Sequence, residues 1–517
     1  MPSPPVTAVE LLRRPESYSH RPHEVRHLET HISHVFLTDD HAWKLKKPVR
    51  YDFLDFSTPE LRRAACEEEV RLNRRLAADV YLGVVPVVAD ARGRLSLDGD
   101  GEPVDWVVQM RRLPTGRTLD RLASAGPLSE ADVDRVFQML FAFYLRTPPL
   151  GVDADEYLHR CEQHVRANRA ELLSADHRLP AARVRRVHAA QLAVLLLEPE
   201  LLRDRVAGGR IIEGHGDLRP EHICLDDPPV VFDCIEFSRE LRTIDVADEL
   251  CFLAMECDAI GAGWIGRRVL DAYRKAGHDD PPPRLLDFYK SYRACVRSKV
   301  AALRARQLEG DRRQQALGEA RRYLELADGY AERIGRPLLI IIRGLMGTGK
   351  STLAALLAHA LGLPLLQTDR IRRERLGPSS GASGYGGGHY QPSARGRVYE
   401  EVFRRGEAWL AERVPVVMDG TFLTTELRER AASLARRYDA ALLLVRCDCP
   451  SQTARDRIAQ RLAGEKSLSE ARPDLYDEQR RDEQSDPPGV ESITVDTTLP
   501  RQRQIAQVLE RIARLGA

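Results

Sequence analysis

A glycine-rich segment that begins at Gly344 has the residue types that bind phosphate. Gly344 and Gly349 enclose four residues, and Lys350, Ser351 and Thr352 follow, so the segment matches the pattern GxxxxGK[ST]. Backbone N–H groups of such a loop bind phosphate oxygens, a lysine at this position reaches the β- and γ-phosphates, and the hydroxyl after it binds Mg²⁺. The segment therefore predicts a binding site for Mg-ATP.

The elements around this segment are those that a phosphate-binding loop needs. The run Leu338–Ile342 before it is apolar enough for a fully buried strand, and a helical pattern follows it. The positive end of that helix would face the phosphates. A glycine-rich turn that arose by chance would lack both neighbours. We therefore predict that the nucleotide contacts seven positions: Gly344, Gly347, Thr348, Gly349, Lys350, Ser351 and Thr352.

Two aspartates follow later apolar runs and are candidates for the chemistry. Asp419 closes the run VPVVMD (414–419), and Asp369 closes LPLLQTD (363–369), with Arg372 three residues further on. If both runs are strands of one doubly wound parallel sheet, these side chains lie at the carboxyl edge, where such sheets bind ligands. Asp419 is then a ligand of Mg²⁺. Two plainer interpretations stay open, namely Asp419 as a turn residue and Asp369 as a helix cap.

The loop and the aspartates together resemble the P-loop kinase group that includes polynucleotide kinase, zeta-type toxins and gluconate kinase. The resemblance implies that Asp369 accepts the proton of a substrate hydroxyl, that Arg372 holds the substrate and that Lys350 contacts the transferred phosphate. It also implies a lid in which Arg457, from the segment RDR at 455–457, closes on the phosphates. In a chain this rich in arginine, a solvated helix face is the alternative for Arg457.

A second group of motifs lies in the first 330 residues. The segment HGDLRPEHI (215–223) resembles the catalytic loop HGDLxxxN of aminoglycoside phosphotransferases and choline-kinase-like enzymes, and Asp233 follows at the end of an apolar run. The resemblance implies that Asp217 orients and deprotonates an acceptor hydroxyl. It also implies that Asp233 and His222 bind Mg²⁺ and that Asp245 braces the catalytic loop.

The same resemblance assigns an ion pair upstream of the loop. In AWKLKK, either Lys44 or Lys46 would hold the α- and β-phosphates, and Glu69 from the next helix would be its partner. One position departs from the family, because His222 stands where the family usually has Asn. An imidazole nitrogen is a poorer ligand for Mg²⁺ than an amide oxygen. A nucleotide-binding pseudo-kinase that regulates without transferring phosphate therefore stays open for this region.

The chain as a whole resembles a group of bacterial two-domain proteins that join these two modules. The resemblance implies a kinase-like domain at 1–330, with an N-lobe of about 1–110 and a C-lobe of about 111–330, and a P-loop domain at 336–517. The implied fold class is α/β and α+β, with a bilobal protein-kinase-like (aminoglycoside phosphotransferase) fold followed by a doubly wound P-loop parallel sheet.

Local patterns predict several elements that would position these residues. HVFLTDDHAWKLKK (34–47) alternates around two aspartates and predicts a β-hairpin, and Thr58–Leu76 predicts a charged amphipathic helix. Gly335-Arg336-Pro337 is the expected domain boundary. The Gly/Ser-rich stretch at 377–393 predicts a mobile loop, since a helical pattern resumes directly after it.

Composition excludes several classes of function. The 78 basic and 77 acidic residues leave a formal net charge of +1, so bulk nucleic-acid binding is not expected. Neither a signal peptide nor a membrane-spanning run stands out, and the nine cysteines are scattered, so we expect a cytoplasmic protein without a membrane, disulfide or zinc site.

Taken together, the motifs predict an ATP-dependent phosphotransferase whose cofactors are ATP and Mg²⁺. Its partner would be a hydroxyl acceptor, either a small molecule or a nucleotide. The alternative from another class is an ATPase switch, in which the P-loop module hydrolyses ATP without phosphorylating an acceptor.

Overall fold

The computed structural model describes residues 7–51, 54–126, 128–276, 279–376, 392–462 and 474–516. Its packing forms two units, one of Met1–Asp153 with Asp204–Pro282 and one of Ala154–Arg203 with Pro283–Ala517. Packing units and domains need not coincide, so the domains 1–330 and 336–517 stay predictions. Most of the predicted mobile loop, residues 377–391, lies outside the described residues.

The strands and helices are numbered in chain order. The strands are β1 Arg26–Glu29, β2 Ser33–Leu37, β3 His41–Lys46, β4 Arg50–Tyr51, β5 Leu54–Asp55, β6 Tyr81–Ala89, β7 Leu95–Leu97, β8 Glu102–Arg111, β9 Ile211–Glu213, β10 Ile223–Cys224, β11 Val230–Val231, β12 Thr243–Asp245, β13 Leu338–Arg343, β14 Leu365–Gln367, β15 Val416–Asp419, β16 Ala441–Asp448 and β17 Ser492–Asp496. The helices are α1 Ala8–Leu12, α2 Pro59–Asn73, α3 Leu119–Ala125, α4 Glu130–Arg146, α5 Ala154–Leu172, α6 Ala181–Leu197, α7 Glu200–Ala207, α8 Arg239–Arg242, α9 Val246–Ala259, α10 Gly263–Lys275, α11 Pro283–Arg306, α12 Gly310–Ile334, α13 Lys350–Ala360, α14 Thr368–Leu376, α15 Pro392–Ala411, α16 Thr425–Arg437, α17 Ser451–Leu462, α18 Asp474–Asp482 and α19 Arg501–Arg514.

The first unit is built on an antiparallel sheet with the strand order β1-β2-β3-β8-β6-β7. The predicted hairpin is confirmed, since β2 pairs with β3 and Val35 lies opposite Lys44. Side chains alternate across a strand, so Lys44 and Lys46 of β3 leave the sheet on the same face. Both candidate phosphate-binding lysines therefore lie on one face of β3.

Helix α2 follows the sheet and confirms the predicted helix. The hydroxyl of Thr58 accepts the backbone N–H of Leu61, and Pro59 occupies the first helical position, where a missing N–H does no harm. The helix ends at Asn73, three residues before the predicted end, because the chain turns through Arg74. Glu69 lies on its buried side together with Cys66 and other apolar residues. Further along the chain, β9 pairs with β12 and β10 pairs with β11, each as a short antiparallel ladder.

The second unit contains a parallel sheet with the strand order β14-β15-β13-β16-β17. All six residues of β13 are buried, as expected for a parallel strand covered on both faces. Ile340 and Ile342 pack with α13 and α19, whereas Leu339 and Ile341 pack with α15 and α16. The predicted doubly wound sheet is thus confirmed, with helices on both of its faces.

Two general expectations can be compared with the described chain. All nine cysteines lie within the described ranges and are free thiols. None of the helices described is both long enough and apolar enough to cross a membrane.

Candidate functional site

The loop between β13 and α13 has a backbone that only glycine adopts easily. Gly344, Gly347 and Gly349 have φ angles of 135°, 79° and 86°. A Cβ on Gly344 would lie 2.5 Å from the carbonyl oxygen of Cys447, and one on Gly347 would lie 2.4 Å from that of Ala454. The loop is therefore packed too tightly against its neighbours for a side chain at either position.

Two side chains of the loop fold back onto its backbone. Lys350 Nζ donates to the carbonyl oxygen of Leu345 at 2.7 Å, and Thr348 Oγ1 donates to the same oxygen at 2.8 Å. Ser351 and Thr352 follow in the first turn of α13 and are exposed. The lysine is therefore held over the loop at the N-terminus of α13. A phosphate bound there would contact both the lysine ammonium and the positive end of the helix dipole.

Asp419, the last residue of β15, is buried beside this loop. Its neighbour across the ladder is Ile342, one strand residue before the loop begins. Gln367 Nε2 donates to Asp419 Oδ2 at 3.2 Å, whereas Oδ1 is buried and has no hydrogen-bond partner among the described residues. Burial raises the pKa of Asp419, although the Lys350 ammonium and the Ser351 hydroxyl act against it.

A buried carboxylate oxygen without a partner fits a metal ligand. Within the described ranges, no three His, Cys, Asp or Glu side chains form a metal-binding group. A magnesium ion here would therefore be held by Asp419 and the Ser351 hydroxyl and would take its other ligands from phosphates and water, as Mg²⁺ commonly does. The residues present fit that ion.

Asp369 and Arg372 lie at the same edge of the sheet. Strand β14 ends at Gln367, whose partner in the ladder is Asp419, and α14 begins directly afterwards at Thr368. Arg372 Nη1 donates to Asp369 Oδ1, and the arginine is the more buried of the two. The structure therefore brings the predicted base, the predicted substrate-binding arginine and Asp419 to one edge. Their roles stay predictions.

Arg457, the predicted lid arginine, is bound next to the loop. Its guanidinium donates to Oγ1 and to the carbonyl oxygen of Thr497, at 3.0 Å and 2.9 Å. Thr497 in turn packs on Gly349, since a Cβ there would lie 3.2 Å from the Cβ of Thr497. Arg455 pairs instead with Asp477. Sequence reasoning missed Thr497, which belongs to no motif.

In the first unit, the two candidate lysines share one carboxylate. Lys44 Nζ lies 2.8 Å from Glu69 Oε1 and 2.7 Å from Asp233 Oδ1. Lys46 Nζ lies 2.7 Å from Glu69 Oε2 and also bonds Glu236. Both lysines thus pair with Glu69, but only Lys44 contacts Asp233, the predicted metal ligand. Sequence reasoning missed Glu236, although two buried lysines on one strand face require more than one carboxylate.

The charges in this cluster stabilise one another. Burial disfavours a charged lysine, but Asp233 and Glu69 outweigh it and hold the pKa of Lys44 well above its usual value. Burial likewise works against ionised Glu69, and partial burial against ionised Asp233, yet Lys44 and its neighbours hold the pKa of each carboxyl below its usual value. Two lysines face three carboxylates once Glu236 is counted. The cluster therefore carries an excess negative charge that a cation could balance.

The loop that contains Asp217 is fixed by Glu249 of helix α9. The backbone N–H groups of His215 and Gly216 donate to Glu249 Oε1 at 2.6 Å and 2.8 Å, and Tyr144 Oη donates to Oε2. Burial lowers the pKa of His215 to about 4, so this histidine is neutral at pH 7. Asp245, the predicted brace, caps α9 and pairs with Arg205. Glu249, four residues later, was not predicted.

His222 sits between the two predicted aspartates of this loop. Its Nδ1 donates to the carbonyl oxygen of Asp217 at 2.9 Å, which leaves Nε2 as an acceptor for Arg219 Nη2 at 3.1 Å. The same Nη2 atom lies 2.9 Å from Asp217 Oδ2. Arg219 therefore contacts both the predicted base and the histidine, and sequence reasoning assigned it no role.

The metal-binding residues predicted for this loop are close together. His222 Nε2 lies 3.6 Å from Asp233 Oδ2, so one ion could contact both. Asp233 has the side chain that Mg²⁺ prefers, and nearly half of that side chain is exposed. The nitrogen of His222 is the weaker ligand and already accepts from Arg219. The site therefore fits a metal ion through Asp233 better than through His222.

Comparisons with known proteins agree with this geometry in the second unit. The AAA domain family matches residues 339–483, the segment that contains the loop, Asp369 and Asp419. The protein is thus a mixed α/β chain with a P-loop nucleotide-binding fold in its C-terminal region.

Solved structures of two kinases are also similar to about a third of the chain. A sugar kinase from Janibacter sp. HTCC2649 is 16% identical and covers 35% of this chain and 99% of its own, with a TM-score of 0.28. A gluconokinase from Sinorhizobium meliloti 1021 is 19% identical and covers 35% of this chain and 94% of its own, with a TM-score of 0.26.

Relatives that match most of the chain come from mycobacteria. They are "Uncharacterized protein Rv2004c" of Mycobacterium tuberculosis (strain ATCC 25618 / H37Rv) and "Uncharacterized protein Mb2027c" of Mycobacterium bovis (strain ATCC BAA-935 / AF2122/97). Each is 34% identical over 443 residues, which are 84% of this chain and 86% of the relative. The chain therefore belongs to the same family as these two mycobacterial proteins.

Proposed function

We propose that the protein is an ATP-dependent phosphotransferase whose P-loop region transfers the γ-phosphate of Mg-ATP to a hydroxyl group of a small molecule or nucleotide. The observation that carries the proposal is the unpartnered, buried Oδ1 of Asp419 beside Lys350 and Ser351. In folded proteins an ion or an ordered water often completes the bonding of such an oxygen. The Asp369–Arg372 pair at the same edge supplies the groups for an acceptor.

Each residue has a distinct part in the transfer. Backbone N–H groups of the loop and Lys350 bind the β- and γ-phosphates, and Asp419 and Ser351 hold Mg²⁺, which neutralises phosphate charge when bound. Asp369 accepts the proton of the acceptor hydroxyl while that oxygen bonds to the γ-phosphorus and the bond from the γ-phosphorus to ADP breaks. Arg372 then exchanges its bond to Asp369 for one to the acceptor or the moving phosphate.

An ATPase switch is the alternative that this arrangement favours less. A switch needs a group that positions a water molecule against the γ-phosphate. Asp369 is instead paired with Arg372 at the edge of the sheet where acceptors bind. Such a pair suits an acceptor molecule with its own polar groups better than a single water molecule.

For the first unit we propose a second nucleotide site with kinase-like chemistry. It is supported by the chain of contacts from Glu69 through Lys44 to Asp233 and by the fixed loop that carries Asp217. In this site Lys44 binds the α- and β-phosphates, Asp233 holds Mg²⁺ and Asp217 accepts the acceptor proton. The alternative is a regulatory site that binds nucleotide but does not transfer phosphate. Two observations favour it: Arg219 pairs with Asp217, the proposed base, and His222 stands where the family usually has Asn.

A transfer assay on the full chain tests both proposals. Wild type, Lys350→Ala and Asp217→Ala are incubated with [γ-³²P]ATP, Mg²⁺ and panels of sugars, nucleosides, nucleotides and aminoglycosides. Lys350→Ala should abolish transfer by the P-loop region, and Lys275→Ala, at an exposed lysine outside both sites, should leave it unchanged. Transfer that survives Lys350→Ala but not Asp217→Ala would assign the activity to the first unit. Label released only as inorganic phosphate would support the switch.

A further inference from the structure

A second, positively charged cleft opens on the β14 side of the parallel sheet. Its volume is about 660 Å³, within the range of small-molecule sites. The edge strand β14 forms its floor, and α14, α15 and α6 contribute its walls. The lining residues that carry a charge or an aromatic ring are Arg185, Arg370, Glu374, Arg404, Arg405 and Trp409.

The arginines of this cleft outnumber the carboxylates that pair with them. Glu374 is the only acid among the described residues that line the cleft, and it pairs with Arg370 and Arg405. Glu401, just outside, pairs with Arg404 and again with Arg405. Two carboxylates therefore serve three arginines.

A fourth arginine faces the cleft from helix α6. Its guanidinium, that of Arg185, lies over the half-buried ring of Trp409, 5.4 Å from the ring centre, and no carboxylate of the described residues pairs with it. The cleft thus has about two positive charges in excess and one aromatic wall. An anion with two charges and a flat ring would complement it.

The cleft is separate from the Asp369–Arg372 pair although both use helix α14. Successive residues of a helix are turned by about 100°, so Arg370 and Glu374 lie on one face and Asp369 and Arg372 on a roughly opposite face. Among the described residues, the two sites meet only at Gln367, which lines the cleft and donates to Asp419 Oδ2. A ligand in the cleft would draw Arg370 from Glu374 and change how the helix that bears Asp369 is held.

We propose that this cleft binds a diphosphate-bearing small molecule of the nucleoside diphosphate class, at a site distinct from the P-loop. The guanidinium groups of Arg370, Arg404 and Arg405 bind the diphosphate in the paired geometry that arginine offers to phosphate oxygens. Trp409 and Arg185 contact the base. Binding positions α14 and so regulates the P-loop region from outside its active site.

Calorimetric titration with inorganic pyrophosphate tests the cleft. The full chain carries Lys350→Ala, which weakens phosphate binding at the P-loop, and EDTA removes divalent cations. We expect the Lys350→Ala chain to bind pyrophosphate with an affinity that falls as salt is raised. Adding the double substitution Arg370→Gln/Arg404→Gln to that chain should weaken the affinity at least tenfold. Arg436→Gln, at an exposed arginine of α16, is the matched control and should leave the affinity unchanged.

Two results would overturn the proposal. One is the absence of pyrophosphate binding in the Lys350→Ala chain, and the other is binding that the double variant leaves intact, since that binding would belong to another site. If circular dichroism shows the double variant unfolded, Arg185→Gln decides with ADP as the probe. Its guanidinium contacts the Trp409 ring and pairs with no carboxylate of the described chain, so its loss should weaken ADP at least threefold without unfolding the protein.

Discussion

Replacement of Lys46 by methionine tests the buried charge cluster of the first unit most directly. The side chain of Lys46 is fully buried and lies between Glu69 and Glu236. Burial disfavours its charge, but these two carboxylates hold the pKa of Lys46 above its usual value. A lysine with a raised pKa stabilises the fold at every pH below its unfolded value of about 10.4, and that contribution is lost only as pH rises through the folded value. At pH 7 it is fully present.

The size of the effect follows from the charges that remain. Lys46→Met leaves three carboxylates facing Lys44 alone, and two of them, Glu69 and Glu236, are almost fully buried. Breaking a buried ion pair from one side costs about 3–5 kcal/mol. For a unit of this size we expect the melting temperature to fall by about 6–20 °C. The deficit should shrink as pH is lowered, because protonation relieves the excess negative charge.

Urea unfolding at pH 7 and pH 5 measures the change, with two companion variants. Lys46→Met/Glu236→Gln removes both charges of the pair and should recover most of the loss. Lys47→Met is the matched control, because the carboxylate partner of Lys47, Glu29, is exposed and can be solvated once the lysine is lost, so the cost should be clearly smaller than that of Lys46→Met. A cost for Lys46→Met no larger than that of Lys47→Met, or no recovery in the double variant, would refute the reasoning.

Three further predictions concern the sites themselves. Asp369→Asn should lower phosphate transfer roughly 10²-fold and spare ATP affinity, as for a lost general base; unchanged turnover would leave Asp369 with a structural role only. Lys44→Ala, placed in a Lys350→Ala chain, should abolish the part of the remaining ATP binding that requires Mg²⁺ in calorimetry, whereas persistence of that Mg²⁺-dependent part would argue against a nucleotide site at Lys44. Burial raises the pKa of Asp419, and Mg²⁺ requires the ionised carboxylate. Mg-ATP affinity should therefore be highest at high pH. As pH drops, the affinity should begin to fall at a higher pH than it would with an ordinary aspartate, whose pKa is about 3.9. Titrations between pH 4 and pH 8 should show a larger fall in wild type than in Asp419→Asn, which keeps only the fall caused by protonation of the nucleotide itself.

The parts of the fold that the sequence predicts well are those that depend on near neighbours. The P-loop is one contiguous motif between a buried strand and a helix, so its residues identify it without any distant contact. The hairpin at 34–47 and the start of α2 at Pro59 are equally local, since alternation and capping determine them.

The parts that escaped prediction depend on residues far apart in the chain. Lys46 and Glu236 are separated by 190 positions, and no local sequence pattern near either residue indicates that they pair. Lys44 and Lys46 share one strand face, so the pattern could not say which of them meets Asp233. Arg185 comes from a segment predicted with the first domain, yet it lines a cleft on the parallel sheet.

The contact between Lys44 and Asp233 has a thermodynamic consequence for the nucleotide site proposed in the first unit. A nucleotide that binds alone must separate two ions that lie 2.7 Å apart and leave the carboxylate without a counter-charge. A divalent cation that arrives with it gives Asp233 a new partner and releases the lysine for the phosphates. Each ligand therefore raises the affinity of the other by the same factor, and the ion pair of the empty site is what makes the two bind together.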